Sequence, residues 1–110
     1  MMQLRQRQPR ETDAKFLAFI RTLPCCACGR SPPAQAAHIR MGSLRYNKRG
    51  VGIGERPSDF WSLPVCVGCH MDDNNSIHRA GEGTFWRRIG IDPFALAIKL
   101  YADFKGESHD

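Results

Sequence analysis

Residues 63–70 read LPVCVGCH, with Cys66 and Cys69 two residues apart and His70 directly behind them. Such a pair serves as a redox couple, as one arm of a disulfide or as half of a metal site, and each choice makes a different protein. Upstream, LPCCACGR holds a second C-x2-C, Cys25 and Cys28, followed by Gly29. In a CxxCG turn successive backbone amides point at the sulfurs and the glycine tolerates the tight geometry, so two such arms complete a tetrahedral Zn2+ shell. Cys26 is then the spare thiol, with C-x-C pairing through Cys26 as the alternative. A thioredoxin-like couple needs its pair at the head of a helix in a βαβ pattern, and neither the pattern nor the length for one is present. Five cysteines is an odd number, which also speaks against a disulfide framework. The sequence has no apolar run of about twenty residues, and MMQLRQRQPRETDAK lacks the apolar stretch of a signal peptide. The expected compartment is therefore the cytoplasm, with no membrane partner, where structural disulfides are disfavoured.

A metal also meets a need of this chain. With 110 residues, 42% hydrophobic and 9% aromatic, it buries one small core, and zinc binding free energy becomes folding free energy. Residues 1–11 carry Arg5, Arg7 and Arg10 without periodicity and are expected to form a flexible basic arm. From Thr12, the spacing of Phe16, Phe19, Ile20 and Leu23 predicts a helix that Pro24 closes. AQAAHIR reads as a short strand ending at His38, and DFWSLPV as a second strand delivering Cys66. Between them lies MGSLRYNKRGVGIGERPS, residues 41–58, an irregular loop with four glycines; loops this long in small domains are usually functional. IDPFALAIKLYADF predicts a helix with Asp92 as N-cap and Pro93 at its first position. Its apolar stripe is Phe94, Ala97, Ile98, Tyr101 and Phe104, with Gly106 ending it. With no internal repeat, the expectation is one α+β domain over residues 12–106 and a tail over 107–110.

The four histidines differ in setting. His38 ends a strand, His70 abuts a metal-type cysteine, His78 lies eight residues further on, and His109 sits in the tail GESHD. A lone histidine at a strand end is usually a hydrogen-bonded core or surface residue. Here the arrangement is a strand carrying His38, a basic loop, a second strand, a cysteine arm and then a helix start bearing His70.

With CxxCG, AHIR, a basic glycine-rich loop, RPSDFWSLPVCVGCH and HRAGEGTFWRRIGIDP in this order, the sequence resembles the prophage-borne HNH nucleases, in particular the Ref-like proteins of temperate phages, over roughly residues 16–101. The resemblance implies a zinc-stapled ββα-metal domain, also called a His-Me finger, with flanking helices. It implies His38 as general base, and His70 and His78 as ligands of a catalytic divalent ion. Cys25, Cys28, Cys66 and Cys69 match the structural zinc that clips many HNH domains together. It also implies Mg2+ or Mn2+ as the catalytic metal, whereas imidazole ligation alone suits Zn, Ni, Co or Mn. The chain departs from the family at Ala37, where many members have a metal-binding Asp or His, and at Trp61, close to where the middle Asn falls. Asp59 is the candidate to brace the loop instead. The distance from His70 to Phe85 and Trp86 is also about four residues longer than the resemblance suggests. An unbroken helix through HMDDNNSIH would separate His70 and His78 by about 12 Å of rise and about 80°, which favours Asn74 as ligand over His78. The turn-forming run DDNNS instead predicts that the chain leaves the helix, loops through residues 72–76 and restarts at Ser76.

Phosphodiester hydrolysis suits these residues. An imidazole exchanges its proton near neutrality and can deprotonate water, and a divalent ion stabilises charge on the phosphate and on the departing oxygen. The expected products are a 5′-phosphate and a 3′-hydroxyl. Sixteen Lys and Arg against eleven Asp and Glu give +5. Four thiolates with one Zn2+ lower that to about +3, and a second divalent ion restores about +5. The excess clusters in Arg40, Arg45, Lys48, Arg49 and Arg56 with Glu55 opposing them, so the expected partner is DNA, read with little sequence specificity. Tyr46 is a candidate to stack on a base, while Trp61, Phe85 and Trp86 read as core. The expected role is DNA cleavage in phage recombination or processing within a bacterial host, with a host or phage recombinase as a further partner. The alternatives are a zinc-stapled DNA-binding module whose catalytic centre has decayed and a recombination adaptor.

Overall fold

The computed structural model describes residues 12–52 and 54–107, so the expected arm at 1–11 and the tail beyond Glu107 lie outside the described residues. Helix α1 (Ala14–Arg21) starts where Oδ1 of Asp13 accepts the Phe16 amide at 3.0 Å, satisfying a donor that the first turn leaves unpaired. It stops ahead of Pro24, which cannot continue it, and buries Phe16 and Ile20. The chain then forms the first cysteine arm and enters β1 (Gln35–His38). After the long loop, β2 (Ser62–Val65) pairs antiparallel with β1 in the register Gln35 with Val65, Ala36 with Pro64, Ala37 with Leu63 and His38 with Ser62. Pro64 has no amide to donate, which a strand with an unpaired edge tolerates. Its carbonyl instead accepts the Cys26 amide at 2.9 Å and ties the first arm to the sheet.

Beyond Cys66 a π-helical turn (Gly68–Asp72) carries His70, and α2 (Ile77–Ala80) begins after a break. Helix α3 (Glu82–Ile89) ends at Gly90, whose φ of 74° is the left-handed cap that glycine adopts without a Cβ penalty. Helix α4 (Pro93–Glu107) starts as expected, with Oδ1 of Asp92 accepting the Phe94 and Ala95 amides. It runs through Gly106 rather than ending there, since glycine near an exposed helix end costs only about 1 kcal/mol. The described chain is thus α+β, four α-helices around one two-stranded antiparallel sheet. Among the described residues no helix is long and apolar enough to cross a membrane.

All four residues of β2 are buried. Leu63 and Val65 share one core with Ala37, Ile39, Phe85, Trp86, Ala97 and two of the cysteines, Cys25 and Cys66. Phe85 and Trp86 are therefore core, as read from sequence, and Trp61 packs against the same cluster half-buried. A second apolar layer joins α1 to α4: the Phe16 ring meets Tyr101 at 5.0 Å and Phe104 at 5.4 Å, and Phe60 meets Tyr101 at 4.7 Å. Because Phe16 is fully buried among these rings, Phe16→Ala is expected to cost about 3–5 kcal/mol, read as a lower urea midpoint with unchanged slope.

Candidate functional site

Two features lie past the C-terminal end of β2, a cluster of thiols and the His70–His78 ring pair, while His38 stands at the other end of the sheet opposite Ser62. The first arm closes on itself, with the Gly29 amide donating to the Cys25 carbonyl at 2.9 Å and the Cys25 amide donating to the Arg30 carbonyl at 3.0 Å. Gly29 sits at φ 78°, the left-handed conformation the turn requires. The second arm is not a knuckle of the same kind. Cys66 leaves a strand, Cys69 lies in the π-helical turn, and the His70 amide donates to the Cys66 carbonyl at 2.9 Å. The four Sγ atoms of Cys25, Cys28, Cys66 and Cys69 lie within 4.8 Å of one another, and Cys28 and Cys66 are 3.7 Å apart. Sulfurs at about 2.3 Å from one tetrahedral ion stand about 3.8 Å apart, so the set fits Zn2+.

The thiols of the cluster are shifted in both directions. Burial alone would raise the Cys25 thiol, but amides of Cys66, Cys28 and Ala27 donate to it and bring it to about 7, so it ionises near neutrality. Cys69 is pushed up, by burial first and then by its thiol neighbours; a divalent cation among them removes that repulsion. Cys26 lies outside the cluster, and burial pushes it up to about 12, which keeps it a neutral thiol packed against the core.

Three histidines have defined partners. His38, at the end of β1, has its Nε2 2.8 Å from Oδ1 of Asp59, whose Oδ2 accepts the Asp13 amide at 2.8 Å. A carboxylate only accepts, so Nε2 carries the proton and Nδ1 is the basic nitrogen of His38. His70 places Nδ1 2.8 Å from Oε1 of Gln35; the amide oxygen accepts, leaving the Nε2 lone pair for a metal. Burial, then the charges of His78 and His38, lower the His70 pKa from its ordinary value, so the ring is neutral and able to ligate at neutral pH. The His78 ring lies with its centroid 4.8 Å from that of His70.

That approach depends on a break in the helix. The chain leaves the π-helical turn at Asp73 and restarts at Ser76, whose Oγ accepts the Arg79 amide as N-cap at 3.2 Å. The Met71 carbonyl accepts from Ser76 Oγ and Arg79 Nε, and the Asn75 carbonyl accepts from Arg88 at 2.9 Å, so the loop is pinned from both sides. Asn74, the alternative ligand, lines a cavity together with Cys28 and Cys69. Ala37 is buried in the core and contributes no donor. Among the described residues, the thiol cluster is the group of three or more Cys, His, Asp or Glu with ligand atoms this close, so the imidazole pair offers two protein donors and leaves the remaining positions to water and substrate.

The basic loop is more varied than its sequence suggests. Arg40, Arg45 and Arg56 are exposed. Arg49 is exposed but holds both oxygens of Glu55 at 3.1 and 3.2 Å. Lys48 differs from the expected DNA contact: it is 7% exposed, and its ammonium donates to the Met41 carbonyl at 2.7 Å and the Arg49 carbonyl at 3.3 Å. Burial lowers its pKa, and its stem fastens the loop rather than reaching solvent. Tyr46 is also engaged, stacked on Phe94 at 5.7 Å with its hydroxyl donating to Oδ2 of Asp92 at 2.8 Å. Arg49, Arg56, Glu55, Ser58 and Trp61 line a cleft of about 330 Å³ in this loop.

Asp59, read from the sequence as a brace for the loop, orients His38. Two positions escape a reading of the sequence: Gln35 orients His70, and Glu82 accepts the Arg40 and Met41 amides at 2.8 and 2.9 Å, fixing the chain just past His38. Comparison with protein-family models, with curated proteins and with solved structures finds no match to this chain.

Proposed function

We propose that the protein is a zinc-stapled, metal-dependent HNH-type endonuclease that hydrolyses DNA phosphodiester bonds with little sequence preference. The observation that carries this reading is a set of imidazoles in two chemical roles: His38 oriented by a carboxylate, and His70, which feels the His38 charge, held by Gln35 and paired with His78 with one His70 nitrogen left for an ion. The antiparallel strand pair followed by the His70-bearing helical turn supplies the order of elements that a ββα-metal domain requires. Cys25, Cys28, Cys66 and Cys69 hold the structural Zn2+ that clips the two arms together.

In this mechanism Nδ1 of His38 takes a proton from the attacking water, while Asp59 keeps the proton on Nε2 and stabilises the imidazolium as it forms. Gln35 holds the His70 ring by its Nδ1–H. A divalent ion, Mg2+ or Mn2+, at His70 and His78 would act as Lewis acid toward the scissile phosphate and the leaving 3′ oxygen. Arg40, Arg45 and Arg56 attract the phosphate backbone, and Lys48 supports them by fixing the loop. A role in phage recombination, with a recombinase as partner, rests on the resemblance alone.

The test is relaxation and linearisation of supercoiled plasmid by the purified protein with added Mn2+ or Mg2+. Binding without cleavage under every metal tried selects the DNA-binding module, and neither binding nor cleavage selects the adaptor. For the catalytic ion, His78→Ala is expected to weaken Mn2+ affinity at least tenfold, Gln35→Ala by about 10–100-fold through loss of the His70 brace, and Asn74→Ala not at all. Calorimetric titration of Mn2+ into each zinc-loaded variant decides this, and lost affinity in the Asn74 variant alone would remove His78 as ligand.

A further inference from the structure

Leu44 is fully exposed, at 102%, on a turn that is otherwise fastened at every side. Ser43 and Lys48 exchange two backbone hydrogen bonds at 2.8 and 2.9 Å, and Asn47 takes the left-handed conformation at φ 53° to close the turn. The buried Lys48 ammonium grips the stem from inside. Tyr46 anchors the far side through Phe94 and Asp92. At the stem, Gly42 crosses the returning strand so closely that a Cβ would lie 2.7 Å from the Gly50 nitrogen. A single exposed leucine on a loose surface means little. Here the chain commits a lysine, an aspartate and a tyrosine to holding one apolar side chain out in water, with the exposed Arg45 next to it.

We propose that Leu44 is a wedge that enters a base step of duplex DNA while Arg45 neutralises the flanking phosphates, a proposal that rests on DNA being the substrate. Apolar side chains on rigid supports unstack and kink duplexes in this way, and the exposed Arg40, Arg45 and Arg56 favour DNA over an apolar protein surface as the occupant. The position ties the wedge to the chemistry. Leu44 follows His38 by six residues, which reach at most about 20 Å even fully extended, or about six base pairs of duplex. The unstacked step therefore falls within about six base pairs of the cut, and flexible pyrimidine–purine steps should be favoured there without any contact to base edges.

The experiment uses duplexes carrying 2-aminopurine at successive positions, with the full-length protein and without added Mg2+ or Mn2+, followed by cleavage assays with Mn2+. Wild type should raise 2-aminopurine fluorescence severalfold at one step near the cleavage site, and Leu44→Ala should abolish the rise with its melting temperature unchanged. Leu44→Ala should also cut intact duplex at least tenfold more slowly, yet cut a duplex with an abasic gap at that step as fast as wild type. No fluorescence change with wild type, equal loss on both substrates, or Leu44-dependent self-association in sedimentation would each overturn the wedge. Cleavage by wild type with no role for Leu44 leaves the nuclease reading standing alone, whereas Leu44-dependent unstacking without cleavage leaves the wedge and removes the nuclease. Absence of duplex binding removes both.

Discussion

Cys28→Ser and Cys69→Ser are expected to leave a chain that does not fold at 25 °C, whereas Cys26→Ser lowers stability by only about 1–2 kcal/mol. The difference follows from magnitudes. Structural zinc contributes about 10–16 kcal/mol of apparent binding free energy, which equals or exceeds the whole stability of an ordinary small domain, about 5–15 kcal/mol. Cys25 and Cys66 are themselves members of the core, between the first arm and β2, so losing the ion strands buried thiols as well as releasing the arms. Cys26 is no part of that shell: its thiol is held neutral by burial, and its backbone bond to Pro64 survives a serine. Bound zinc per chain and the circular-dichroism melting curve of each variant check this together. Equal damage in all three variants would mean that the shell includes Cys26 and that the pairing of arms is wrong.

Zinc removal from the wild-type chain should reproduce the Cys28→Ser result, because ligand and ion are two halves of one interaction. A strong chelator is therefore expected to abolish near-ultraviolet dichroism, and Zn2+ to restore it, while Mg2+ and Mn2+, which favour oxygen ligands, do not.

What the sequence disclosed divides along a physical line. Features set by neighbours in the chain were legible: Asp92 and Pro93 start a helix, Ser76 restarts one, Gly29 permits the first cysteine turn, and β1 ends at His38. The residues that depend on contacts across the fold were not. Lys48 reads as one cation among several in a basic loop, and only the approach of the Met41 and Arg49 carbonyls turns it inward. Tyr46 looks free to stack until Phe94 and Asp92, from the start of α4, occupy its ring and hydroxyl. Gln35 carries no motif at all, and its role appears only when the π-helical turn brings His70 against it. Even Cys69 hides its setting, since the C-x2-C spacing alone does not distinguish a knuckle from a strand running into a helical turn.

Asp59→Asn should lower cleavage by about 10²–10⁴-fold, close to the effect of His38→Ala, although Asp59 touches neither water nor phosphate in the mechanism. The two oxygens of Asp59 have different partners: Oδ2 accepts the Asp13 amide, and Oδ1 faces His38 Nε2. An asparagine that keeps its only oxygen on the Asp13 amide turns its NH2 toward His38. Nε2 then has to accept, the ring proton moves to Nδ1, and the nitrogen meant to deprotonate water is already protonated. A change of tautomer of this kind costs about 10⁴ in the Ser-His-Asp triad. Because both substitutions disable one unit, the double variant should be scarcely slower than either single one, while duplex affinity and melting temperature stay near wild type. Added imidazole discriminates further: it can fill the space left in His38→Ala and restore part of the rate, but it cannot correct the tautomer of an intact His38 beside Asn. Full activity in Asp59→Asn would show that the carboxylate merely braces α1 against the loop, and cleavage retained in His38→Ala would remove the histidine from the chemistry.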